Sequence, residues 1–156
     1  MRRTMIVAML AMAIPALLGA EWMQTEKENL MEGTIVRTVF QIAEVSEGTL
    51  NDAALAIRQT GDEYDVFIFW GGYHMDRDTR SVIYRLGEEP VSEWLATLST
   101  DKEATFLTDP FEVVTQLILH EGEKLVVQAT RSTGVISIAR FDLTGVTEAV
   151  ADLAGE

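Results

Sequence analysis

Apolar and polar residues alternate along most of this chain with a period of two, and a helical period appears only near its C-terminal end. Between 34 and 45 the apolar positions Ile35, Val36, Val39, Phe40, Ile42 and Val45 are β-branched or aromatic, a composition that predicts a strand ended by Ser46-Glu47-Gly48. Residues 53–59 set Leu55 and Ile57 against Ala54, Ala56 and Arg58. Thr60-Gly61-Asp62-Glu63 then turns the chain into 64–70, a predicted hairpin, because glycine supplies the positive φ that tight turns need. In the returning strand Val66, Ile68 and Trp70 point one way and Phe67 and Phe69 the other, which predicts a central position with both faces apolar.

The next strands follow the same rule. Residues 80–86 place Val82, Tyr84 and Leu86 on one face and Ile83 and Arg85 on the other. Residues 92–98 align Trp94, Ala96 and Leu98, and 104–107 adds a short apolar run. Asp109-Pro110-Phe111-Glu112 then starts a helix: an N-cap carboxylate, proline at the first helical position and a second acid three residues after the cap. Its expected apolar face is Phe111, Val114, Leu117 and Ile118, and Glu121-Gly122 stops it. A second hairpin joins 125–129 to 135–141 across Arg131-Ser132-Thr133-Gly134. Thr144 is placed to cap a last helix whose Val146, Ala149, Val150 and Leu153 form one stripe. With no βαβ alternation and no repeat, the expected fold is α+β and mainly β. It is an antiparallel sheet or sandwich of about seven to eight strands with two short helices near 110–120 and 145–153. One globular domain is expected over 34–156, preceded by an arm at 21–33.

The first 20 residues change the picture of where this domain works. Arg2-Arg3 precedes an apolar run from Met5 to Leu18 that contains Pro15 and ends at Gly19-Ala20, the pattern of a secretory signal peptide cleaved after Ala20. The run is shorter than the roughly 20 residues of a spanning helix. The expected location is therefore periplasmic, with no membrane insertion once the leader is removed. The chain carries 12 basic and 25 acidic residues, a formal charge of −13. Losing the leader removes Arg2 and Arg3 and no acid, leaving −15. Such a field repels phosphate backbones and anionic lipid and steers basic proteins inward, so nucleic acid is excluded as an expected partner. There is no cysteine, so core burial rather than disulfides must hold the domain in an oxidising compartment.

Candidate chemistry is sparse. Residues 71–79 read as an exposed loop in which His74, Asp76 and Asp78 alternate, with Arg77 and Arg80 to neutralise them. Together with Trp70 and Tyr73 they are the expected contact surface. The spacing lacks the oxygens of a calcium loop and the nitrogen or sulfur of a zinc site, so no metal and no cofactor is expected. Acidic pairs at Asp62-Glu63, Glu88-Glu89 and Glu121 with Glu123 all fall in predicted turns, where carboxylates are solvated, so no catalytic residue is assigned. His120 suits the end of a helix. Arg85 lies mid-strand between Tyr84 and Leu86 and must reach the sheet edge or be paired; a structural ion pair is expected for it, and a core position for Trp94.

Residues 64–70 followed by Tyr73, then Val82-Ile83-Tyr84-Arg85-Leu86, Trp94, Ser99-Thr100-Asp101, Ala104-Thr105-Phe106, Leu125-Val126-Val127 and Ala139-Arg140-Phe141-Asp142-Leu143-Thr144-Gly145, keep an order that resembles the VasI/TagO family. These are exported accessory proteins associated with type VI secretion, and the resemblance runs from about 53 to 153. The family pattern often has a cysteine after the position of Arg58 and another at the chain end. Here Gln59 and Ala154-Gly155-Glu156 stand instead, consistent with the joint loss of one disulfide. The resemblance implies a non-enzymatic periplasmic accessory protein that binds a protein partner in the cell envelope. The charge offers an alternative: an acidic inhibitor of a cationic cell-wall hydrolase of the lysozyme type.

Overall fold

The computed structural model describes residues 21–154, and the expected signal peptide lies outside them. The fold is mainly β: one antiparallel sheet of ten strands curled into a half-barrel, with two short helices. In chain order the elements are β1 (Met23–Asn29), β2 (Thr34–Ile42), β3 (Val45–Glu47), β4 (Ala54–Thr60), β5 (Glu63–Phe69), β6 (Ser81–Leu86), β7 (Ser92–Leu98) and β8 (Ala104–Leu107). α1 (Pro110–Leu119), β9 (Lys124–Thr130), β10 (Ile136–Asp142) and α2 (Val146–Leu153) complete it. Across the sheet the order is β1-β2-β4-β5-β8-β7-β6-β9-β10-β3.

Two strands exceed the expected seven to eight. β1 occupies the stretch expected to be an arm; its polar sequence gives little strand signal, and what makes it a strand is pairing with β2 from Met23↔Phe40 to Asn29↔Thr34. β3 takes only Val45 from the expected strand 34–45 and adds Ser46 and Glu47, which were expected to end it; it is separated from β2 by Ala43 and Glu44 and paired instead with β10. The chain thus passes from β2, one strand in from one end of the order, to β3 at the other end within a few residues, which brings the two ends of the curled sheet together. The Glu44 N–H donates to the Arg140 carbonyl (2.9 Å), and the Gln41 carboxamide both donates to the Asp142 carbonyl (2.7 Å) and accepts from its N–H (3.0 Å).

Cross-strand register fixes which face is covered. The rows Val39–Ile57–Val66 and Gln41–Leu55–Ile68–Thr105 lie on the buried face, continued by Trp94 opposite Val82 and Leu86 opposite Leu125. α1 packs on β5 and α2 on β2 and β4. The outer face carries Phe40, Phe67 and Phe106 in one half-buried row, and Arg58 lies over the last two rings while pairing with Asp65 at 2.8 Å.

Both helices depart in detail from expectation. Asp109 caps α1 as expected, accepting from the Glu112 N–H at 3.3 Å. Of the expected face Leu117 is buried and Val114 packs partly against the core, but Val113 is buried where it was not expected and Phe111 is 81% exposed. α2 buries Val146, Ala149 and Leu153 of the expected stripe. Its cap is not Thr144. Gly145 is the N-cap residue and makes no side-chain cap, so the Glu121 carboxylate, arriving from the turn after α1, accepts from the Gly145 N–H (2.5 Å) and the Thr147 N–H (2.9 Å). Among the described residues no helix is long and apolar enough to cross a membrane.

Candidate functional site

The expected contact loop, 71–79, is not a free tip. Met75 in its middle is fully buried, its N–H donating to the Lys102 carbonyl (2.8 Å), and the Asp76 N–H donates to Thr130 (3.0 Å). The His74 carbonyl accepts from the Ser132 N–H (2.9 Å), so the loop is stitched to the β9–β10 turn on one side and the turn before β8 on the other. An apolar side chain within a charged loop is the sequence signal for such anchoring, and Met75 supplies it.

The side chains named for this loop do not converge. Trp70 is fully buried and donates from Nε1 to the Thr105 hydroxyl at 3.0 Å, so it is a core residue and no part of a contact surface. Tyr73 is half-buried beneath the Arg131 guanidinium, 4.0 Å from its ring centroid. His74 turns to Glu103 (3.6 Å), and the Asp76 carboxylate accepts from the Asp78 N–H (2.9 Å). Among the described residues no group of three or more histidine or acidic side chains is arranged to hold a metal ion. Asp76, Asp78 and Arg80 border a shallow hollow of about 240 Å³, and Arg77 is exposed.

Arg85 corrects a second expectation. It is exposed on the outer face, where the alternation with buried Val82 and Leu86 puts it, and it needs no internal partner. Trp94 is core as expected, 8% exposed. Its ring stacks on Tyr84 with centroids 3.7 Å apart and planes 10° from parallel, and its Nε1 donates to the Gln116 carboxamide at 2.7 Å.

That aromatic pair forms the floor of a groove of about 460 Å³ between β7 and the first turns of α1. Its origin is a mismatch of strand lengths. β7 pairs with β6 along Ser92–Leu95, but β8 covers it only at Ala96, Thr97 and Leu98. After the Thr108 N–H donates to the Leu95 carbonyl (2.9 Å), the chain turns into α1. Continued by two residues, the register would set Pro110 opposite Glu93, and proline has no N–H to extend a ladder. The position of a further strand beside Ser92–Trp94 is left vacant.

The backbone of β7 is oriented toward that vacancy. The Ala96 N–H donates to Arg80 on the β6 side (2.8 Å), whereas the Leu95 carbonyl faces the β8 side. Peptide groups alternate along a strand, so Glu93, two residues before Leu95, directs its N–H and C=O away from β6 and into the groove. The lining includes Glu93, Asp109 and Glu112 and, among the described residues, no lysine or arginine. Leu95, in the lining, is 65% exposed, and Val91 and Phe111, next in the chain to the lining residues Ser92 and Glu112, are at least as exposed. A larger cleft of about 650 Å³ lies beside β1 and β2, but Lys27 and Arg58 mix with Glu28 there and it has no aromatic floor.

Comparison of the chain with protein-family models, with curated proteins and with solved structures finds no match.

Proposed function

We propose that this chain is an exported, non-enzymatic binding protein of the cell envelope that acts through contact with a basic protein partner. The observation that carries the reading is the groove between β7 and α1: an aromatic floor with an acidic rim and, among the described residues, no lysine or arginine in its lining. A site of this kind gains apolar burial from its floor and discriminates by charge at its rim. The N-terminal leader pattern supports export, the formal charge of −15 left after its removal supports a cationic partner, and the resemblance to accessory proteins of type VI secretion supports a role in assembly rather than turnover.

The test is retention from envelope extract of the source cells on immobilised chain lacking residues 1–20, with salt as the variable. A basic protein retained at physiological salt and released as salt rises is the expected result; no retention at that salt sinks the reading. The acidic rim also favours a second reading, inhibition of a cationic cell-wall hydrolase. Protection of cell-wall substrate from lysozyme at low salt supports it, and undiminished lysis at every salt removes it.

A further inference from the structure

We infer that the groove between β7 and α1 takes an extended basic segment of the partner by strand addition, so that the ligand becomes the neighbour that β7 lacks beside Ser92–Trp94. The inference rests on the proposed binding function and specifies its site and mode. Three features point to one occupant. Glu93 offers an N–H and a C=O in the plane of the sheet, which only an extended backbone answers on both counts. Alternate side chains of that strand would meet the Tyr84–Trp94 stack and Val113 on the inner side. Glu93, Asp109 and Glu112 would flank it, so lysine or arginine fits where aspartate or glutamate is repelled. The α1 wall closes the inner side, so the slot admits a single strand rather than a sheet. A second copy of this chain would bring its own excess of acid to the same rim, which disfavours self-pairing.

The test uses a blocked six-residue peptide of alternating lysine and valine, its glutamate–valine counterpart, and two lysine–valine peptides N-methylated at alternate amides in opposite registers. Amide NMR of the chain lacking residues 1–20 reads the site directly. The expected result is binding of the lysine peptide with a shifted and exchange-protected Glu93 amide. One methylated register should bind as well, the other about tenfold or more weaker, and the glutamate peptide should not bind. Glu93→Pro removes the slot-facing N–H and leaves the bonds to β6, which run through Ser92 and Trp94, so it should fold and lose about tenfold in affinity. Should that variant fail to fold, the two methylated registers decide the matter without it.

Equal binding of both registers, equal binding of the glutamate peptide, or shifts centred on the outer Phe67–Phe106 face overturn the inference. So does a wild-type dimer joined through β7. If Glu93→Pro retains the envelope partner with wild-type affinity, binding by strand addition falls and the proposed function stands. If the wild-type chain retains no partner, that function falls while the peptide result still judges the groove.

Discussion

The carboxamide of Gln41 stands in for a peptide unit where the pairing of β10 with β3 stops, at Arg140: it donates to the Asp142 carbonyl at 2.7 Å and accepts from the Asp142 N–H at 3.0 Å. Gln41 is 3% exposed and lies where β2 gives way to the break before β3, so this pair of hydrogen bonds joins β2 to β10, each one strand in from an end of the strand order. Gln41→Ala removes both partners from Asp142 and should destabilise the fold by about 2–4 kcal/mol in urea unfolding. Gln41→Glu keeps the acceptor, loses the donor and sets a carboxylate against a carbonyl. It should be at least as damaging at neutral pH and partly relieved in acid, when the protonated carboxyl can donate again.

Glu121 gives the fold an acid sensitivity at one helix end. The hydrogen bond from the backbone N–H of Thr147 holds its carboxyl below the ordinary value of 4.5, opposed by burial and helped by the bond from Gly145. A carboxylate depressed in the folded state contributes stability that is complete above its unfolded pKa and lost as pH falls through the folded one. Stability should therefore decline as pH drops below about 4.5. Glu121→Gln should show a shallower decline over that window, and Glu121→Ala should cost about 0.5–2 kcal/mol at pH 7, as loss of a helix cap does. Equal acid slopes for wild type and Glu121→Gln would contradict this assignment.

Two turn glycines should respond differently to the same substitution. Gly61 in the β4–β5 hairpin has φ +62 with open space where a Cβ would go, so Gly61→Ala should cost about 1 kcal/mol of backbone strain. Gly71 has φ +73, its carbonyl accepts from the Asn51 N–H, and an added Cβ would collide with the Asn51 carbonyl oxygen. Gly71→Ala should cost about 3 kcal/mol or more, because backbone must move as well as twist. Thermal or chemical unfolding of the pair measures the difference.

Trp70 and Trp94 should separate stability from binding. Trp70→Phe leaves the Thr105 hydroxyl, fully buried, without its donor and should destabilise by about 1–3 kcal/mol while peptide affinity in the groove is unchanged. Trp94→Phe loses the bond to Gln116 and narrows the floor beneath the ligand, so it should weaken peptide binding as well as the fold. Equal loss of binding in both variants would place the ligand elsewhere.

What the sequence determined by itself was local. The period of two placed Val82 and Leu86 inside and Ile83 and Arg85 outside, the Asp109-Pro110 start set α1, and Thr60-Gly61 turned β4 into β5, because pleat direction, capping and φ preference act within a few residues. The ion pair expected for Arg85 was not needed, because the face it shares with Ile83 is open to solvent, and alternation separates two faces without saying which is covered. Tertiary structure decided everything that depends on neighbours distant in the chain. It made a strand of the polar segment Met23–Asn29, set Gln41 at a seam between β2 and β10, turned Glu121 from a solvated turn carboxylate into a helix cap, and buried Trp70 and Met75 out of the expected contact surface. The groove is the clearest case: a seven-residue β7, a four-residue β8 and Pro110 are all visible in sequence, but the vacancy exists only because the short β8 is the neighbour of β7 on the side away from β6. Strand neighbours are chosen by packing over the whole sheet, and no local preference encodes them.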